Sequence, residues 1–187
     1  YLNMKVTFYG VRGSIPSPGA EFARYGGNTA CTHVELNDGT QIILDSGTGI
    51  KKLGNKLVKE TCDINILLSH NHWDHIQGFP FFLPIYQPGR VINIYPGLTT
   101  YHEDDAILKQ MSNSLFPVCY TSLQSHISIH HYPEDVLSWS IGAAKVTRHV
   151  INHPGCGSAY VIEADGQKLA YLTDNELNPP YHKQGDF

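Results

Sequence analysis

Residues 69–76 read SHNHWDHI and gather three histidines and an aspartate, His70, His72, Asp74 and His75, into one short stretch. Imidazole nitrogens and a carboxylate are donors that zinc prefers and that manganese and iron also accept. Side chains two apart on an extended segment project to the same side, so His70 and His72 can converge on one ion. A turn after them would bring Asp74 and His75 to a second, adjacent position. The stretch therefore predicts two divalent metal ions, zinc first, with manganese or iron as alternatives. A single histidine near a strand end is ordinarily a surface or turn residue. Three histidines and an aspartate at this spacing are not accounted for by packing.

The elements that must present this cluster are legible on both sides of it. INILL (64–68) is a continuous apolar run, the pattern of a strand covered on both faces, and the cluster begins two residues after it ends. Loops leaving such strands are where α/β folds commonly place their sites. Upstream, Lys5 to Tyr9 alternates like a strand and runs into the turn-rich loop GVRGSIPSPG. CTHVEL and QIILD, joined through Asp38-Gly39, read as a hairpin. Ile50 to Lys59 reads as a helix with Ile50, Leu53, Leu57 and Val58 on one face. Downstream, VINIY (91–95) and AAKVTRHVI read as strands, and SAYVIEA and QKLAYLTD form a second hairpin through Asp165-Gly166. The stretch 98–133 is less regular, with a helix expected over Glu103 to Met111, and it reads as an insertion near the site. Together these elements predict an α/β layered domain whose sheet is covered by helices.

A chain of 187 residues suits one domain, with or without an insertion. Its formal net charge of −4 advertises no broad basic field for nucleic acid or an anionic membrane, although bound dications would add positive charge locally. The four cysteines, Cys31, Cys62, Cys119 and Cys156, form no CxxC pair and read as reduced thiols of a cytoplasmic protein. Phe79 to Tyr86 is too short for a membrane span and is broken by Pro80 and Pro84. The N-terminus alternates like a strand rather than a signal peptide.

HxHxDH after a hydrophobic strand, preceded by a hairpin ending in Asp45-Ser46-Gly47, resembles the metallo-β-lactamase superfamily. The segments GVRGSIPSPG, RYGGNTAC, ILDSGTG, LSHNHWDHIQGFPFF and YLTDNE resemble its branch of ribonuclease Z-like and cyclic-phosphodiesterase-like hydrolases, over about Met4 to Glu176. The resemblance implies a four-layer αββα sandwich with a dimetal site at one edge of two packed sheets. In it His70 and His72 would join a later histidine on the first ion, and Asp74 and His75 would hold the second. An aspartate bridges both ions in the family, and Asp174 in YLTD matches it. His149 and His153 compete for the later histidine. His153 is favoured, because it opens HPGCGSAYVIE just before a glycine-containing strand start, whereas His149 lies within the preceding strand. The branch also supplies a further histidine to the second ion well downstream of the bridging aspartate. Only His182 follows Asp174, in NPPYHKQGDF, which matches no such motif. The chain is therefore expected to lack a C-terminal part of the fold.

The implied chemistry is hydrolysis by a metal-bridging hydroxide, with Asp74 orienting the nucleophile and accepting its proton. A small or cyclic phosphodiester is the favoured substrate. Asp45 and Ser69 are placed to fix the ligand histidines, and Asp45 reads equally as a turn cap. Arg12 and Arg24 are candidate phosphate contacts or plain surface residues. His102, His126, His130 and His131 read as ordinary histidines. Alternatives on the same site are hydrolysis of a lactone, thioester or β-lactam, and a non-catalytic metal-binding scaffold. Folded RNA is disfavoured, since no basic glycine-rich arm is evident.

Overall fold

The computed structural model describes residues 3–112 and 114–177. Among these residues ten strands form two sheets. The first runs in the order β1 (Lys5–Gly10), β2 (Cys31–Glu35), β3 (Gln41–Leu44), β4 (Ile64–Leu67), β5 (Val91–Tyr95) and β6 (His126–Ile129). Its first three strands pair antiparallel, and β3 to β6 pair in parallel. The second sheet is an antiparallel set, β7 (Ser138–Ile141), β8 (Ala144–Val150), β9 (Ser158–Ala164) and β10 (Gln167–Tyr171).

The central strands are apolar throughout because both faces of the first sheet are covered. Along β3 and β4, Ile43, Ile64 and Ile66 face one core, shared with Ile50, Leu53 and Leu57 of helix α1 (Ile50–Leu57) and with Phe79 and Phe82. Ile42, Leu44 and Leu67 face the other core, against Val146, Tyr160 and Ile162 of the second sheet. The layers are therefore helix, sheet and sheet. Among the described residues no helix covers the outer face of the second sheet. None is long and apolar enough to cross a membrane.

Helix α1 ends at Leu57, two residues short of the expected Lys59, with Val58 as its C-cap. The buried Arg90 guanidinium donates to the carbonyls of Leu57 and Glu60 just past that end, satisfying acceptors a helix terminus leaves open. Both Asp-Gly signals are turns. Asp165 and Gly166 have φ of 54° and 70°, the pair of left-handed residues that a two-residue hairpin requires. The helix expected over 103–111 is shorter: α3 spans Ala106–Lys109, preceded by Asp105 at its N-cap and by His102 in a left-handed conformation. The same stretch ends in β6, which the sequence pattern did not reveal. The four cysteines are unpaired.

Candidate metal centre

After β4 the chain stays extended to His72 and then turns into α2 (Trp73–Ile76). His72 carries extended angles, φ −59° and ψ 147°, and the His75 N–H donates to its carbonyl at 2.9 Å to close the turn. The local fold thus sets His70 and His72 on extended chain and Asp74 and His75 on the first helical turn. Trp73, between them, is 72% exposed. His153 arrives from the β8–β9 loop, where the Cys156 N–H donates to its carbonyl at 3.0 Å. Asp174 follows β10 by three residues.

These segments bring together two overlapping groups of donor atoms. In the first, His72 Nδ1 lies 3.0 Å from His70 Nε2 and 2.9 Å from His153 Nε2. In the second, Asp174 Oδ2 lies 3.3 Å from His75 Nε2 and 3.6 Å from His70 Nε2. Within each group all ligand atoms lie within 4.8 Å of one another, and His70 belongs to both. Asp174 Oδ2 is also 3.8 Å from His153 Nε2, so this carboxylate stands between the groups. Asp74 is in neither group. Its Oδ2 accepts the Ser14 backbone N–H at 2.7 Å and lies 3.5 Å from His75 Nε2.

The donor set fits metal ions. His72 Nδ1 has a single lone pair or a single proton, yet two imidazole nitrogens crowd it, more than imidazole hydrogen bonding provides for. A shared cation would account for all three; nitrogens on a tetrahedral zinc with bonds of about 2.0–2.1 Å stand roughly 3.3 Å apart. His75 Nε2 is buried and makes no well-formed hydrogen bond, with the Asp174 and Asp74 carboxylates 3.3 Å and 3.5 Å away. Unmatched buried nitrogen of this kind is what an ion would satisfy.

The electrostatics follow from burial and crowding. Burial, and then the charge on His75, hold His70 down to about 3. Burial opposes charge on His75 too, but Asp174 and Asp45 overcome it and push the ring up to about 10. The His75 contact in turn holds Asp174 well below the usual carboxylate range. Burial, then His72, lowers His153.

Behind the histidines stands Asp45, fully buried. Its Oδ1 accepts the Ser69 N–H at 2.6 Å, and its Oδ2 accepts Ser69 Oγ at 2.8 Å, His75 Nδ1 at 2.8 Å and the Tyr171 hydroxyl at 2.9 Å. Ser69 Oγ is also 2.9 Å from His70 Nδ1. Asp45 therefore takes the outer nitrogen of His75 and leaves Nε2 facing the centre. Asp45, Asp174 and Ser14 all have left-handed φ, 63°, 49° and 67°. Such conformations cost non-glycine residues about 1–2 kcal/mol each and persist where surrounding contacts over-determine them. Backbones also meet closely here: a Cβ on Gly97 would strike the Ser69 carbonyl, and one on Gly47 the Asp74 carbonyl.

The other histidines lie apart. His149 is exposed on β8, paired with Ala159. His130 stacks on Tyr95 at 4.6 Å and meets Asn93 at 2.9 Å, and His131 meets Asp104 at 2.7 Å. His102 and His126 are exposed, and His182 lies outside the described residues. Arg12 donates to the Ile15 carbonyl and covers the Phe22 ring, and Arg24 covers Tyr25, so both brace the N-terminal loop. The Ser14 N–H and Tyr171 were not foreseen. A backbone donor leaves no trace in residue type, and Tyr171 meets its partner only across the two sheets.

A family model described as the beta-lactamase superfamily domain matches residues 40–184. The chain belongs to that superfamily. Solved structures of the fold agree. The metallo-beta-lactamase fold protein YhfI from Bacillus subtilis superposes with a TM-score of 0.65 at 20% identity, covering 91% of this chain and 61% of that one. Human tRNase Z, short form, gives 0.59 at 21%, covering 89% and 68%. A diphosphatase from the PhnP family gives 0.57 at 17%, covering 84% and 61%. The chain thus spans about three fifths of the length of YhfI. No curated protein sequence matches it. Its two sheets with helices on the first have the metallo-β-lactamase fold, a fold of metal-dependent hydrolases.

Proposed function

We propose that this chain is a dinuclear-metal hydrolase that cleaves a phosphodiester, with small or cyclic phosphodiesters favoured. The observation that carries the reading is the pair of donor groups that share His70 and have Asp174 Oδ2 between them. His70, His72 and His153 would hold the first ion, and His75 with Asp74 the second, with Asp174 common to both. Zinc suits this histidine-rich set, with manganese or iron as alternatives. When bound, two dications make hydroxide available near neutral pH and neutralise charge on the substrate's oxygens.

The chain's own groups supply the rest. Asp74, its carboxylate anchored by the Ser14 N–H, orients the attacking water and accepts its proton. Asp45 and Ser69 fix the ring orientations of His75 and His70. His72 and Asp174 are exposed, so substrate approaches from their side. The segment 98–133 borders that side through the Asn71 amide, which donates to the Glu103 carbonyl at 2.8 Å, and would contact the substrate's outer group.

The phosphodiester assignment is supported by the sequence resemblance to the ribonuclease Z-like branch. Fold likeness to a tRNase and a diphosphatase is in keeping with it. The test is hydrolysis of bis(p-nitrophenyl) phosphate and a cyclic nucleotide, beside a lactone and a thioester, by metal-loaded protein. Turnover of a phosphodiester that a chelator abolishes is expected. Cleavage of the lactone or thioester with no phosphodiester cleavage would overturn the substrate class.

A further inference from the structure

We infer that Tyr171 is a positioning residue for the second ion, tying the strand that carries Asp174 to the aspartate that orients His75. This rests on the two-ion reading above. The donors of the centre come from both sheets. His70, His72 and His75 follow β4 of the first sheet, whereas Asp174 follows β10, the edge strand of the second. The second group exists only if the two sheets are held in one relation at that edge.

Tyr171 is the last residue of β10, three before Asp174. Its hydroxyl reaches across the sheets and donates to Asp45 Oδ2 at 2.9 Å, the same oxygen that accepts from His75 Nδ1 at 2.8 Å. One carboxylate oxygen thereby connects the strand bearing Asp174 to the ring whose Nε2 lies 3.3 Å from Asp174 Oδ2. On its far side the Asp174 loop is tied to the loop of the first group, since Glu176 N–H donates to the Asn152 carbonyl at 2.8 Å. The Tyr171 tie runs to the His75 side. Burial beside Asp45 raises the phenol well above its usual range, so it stays protonated and remains a donor.

The geometry grades the two positions. Tyr171 touches none of His70, His72 and His153, and it reaches His70 only through Asp45 and Ser69, one contact farther than His75. Losing the Tyr171 hydroxyl should therefore weaken the second ion more than the first, which keeps His72 and His153. Partners one step behind metal ligands typically change affinity by about 10–100-fold.

Stepwise zinc titration of the metal-free protein against a chromophoric chelator tests this. Tyr171→Phe keeps the ring and is expected to bind the second ion at least about tenfold more weakly than wild type and the first ion with a smaller loss. Tyr160→Phe is the control, removing a buried hydroxyl that donates to the Leu68 carbonyl at 2.6 Å without touching Asp45. It is expected to change neither step. Equal second-step affinities in Tyr171→Phe and wild type would overturn the inference, as would an equal loss in Tyr160→Phe. A wild-type protein that takes up fewer than two ions would instead overturn the two-ion reading itself. If Tyr171→Phe does not fold, the metal-free wild type supplies the measurement. Its Tyr171 hydroxyl proton is expected as a slowly exchanging downfield NMR signal, and rapid exchange with water would overturn the inference.

Discussion

Replacing Asp45 by asparagine changes one oxygen to an amide and leaves the shape intact. Asparagine also tolerates the left-handed backbone, φ 63°, at this position. The consequences follow from four hydrogen bonds. Oδ1 accepts one, from the Ser69 N–H, and Oδ2 accepts three, from Ser69 Oγ, His75 Nδ1 and the Tyr171 hydroxyl. An amide cannot face donors on both sides. If its oxygen keeps the Ser69 N–H, its NH2 faces His75 Nδ1 and favours the ring form with the proton on Nε2, the nitrogen proposed to hold the ion. If it turns over, two N–H donors confront each other in a buried place, costing about 2 kcal/mol. Either way His75 is the poorer ligand, and second-ion affinity is expected to fall about 10–100-fold. Chelator-competition titration reads the affinity. Ring nitrogen-15 NMR of the metal-free protein reads the histidine, whose pKa of about 10 should drop when one of the three carboxylates around it, Asp45, is neutralised. An Asp45→Asn protein that binds both ions as tightly as wild type, with His75 titrating unchanged, would refute the reasoning.

Other outcomes are equally definite. Metal-free protein should be most stable near pH 6.5. His75 is raised from 6.5 to about 10, so its contribution is complete below 6.5 and is lost as pH rises toward 10. His70 is lowered from 6.5 to about 3, so folding excludes a proton that the unfolded chain binds, and stability also falls as pH drops below 6.5. A Tm that climbs steadily from pH 6.5 to 9.5 would contradict this balance. Arg90→Met removes the donors to Leu57 and Glu60 carbonyls and is expected to cost about 2 kcal/mol in denaturant unfolding, with metal stoichiometry unchanged. Gly47→Ala would drive a Cβ into the Asp74 carbonyl and the Ala30 N–H, neither of which can rotate away, and should cost about 1–3 kcal/mol. An unchanged unfolding midpoint would show that the backbone gives there.

Much of the fold was legible because the pattern that announces an element is also what buries it. INILL reads as a doubly covered strand, and Ile64, Ile66 and Leu67 do face two different cores. Asp38-Gly39 and Asp165-Gly166 mark turns through their backbone freedom. β6 escaped notice because HISI is a four-residue edge strand with alternate residues exposed, so no apolar run marks it. The helix expected from Glu103 begins only at Ala106, since periodicity does not register a left-handed residue at His102. At the site, His70, His72, Asp74 and His75 are close in sequence and could be read as a group. His153 and Asp174 came from family resemblance, because nothing local says that loops so far along the chain fold over the same strand end. Tyr171 and the Ser14 N–H came from neither source. Their roles depend on how the sheets meet and on the path of a loop.

Diffraction from zinc-soaked crystals, with anomalous data at the zinc edge, tests the proposed dinuclear centre most directly. Two peaks are predicted, one among His70, His72 and His153 and the other beside His75 and Asp174. No peak at these residues, or zinc bound only elsewhere, such as at His131 and Asp104, would contradict it.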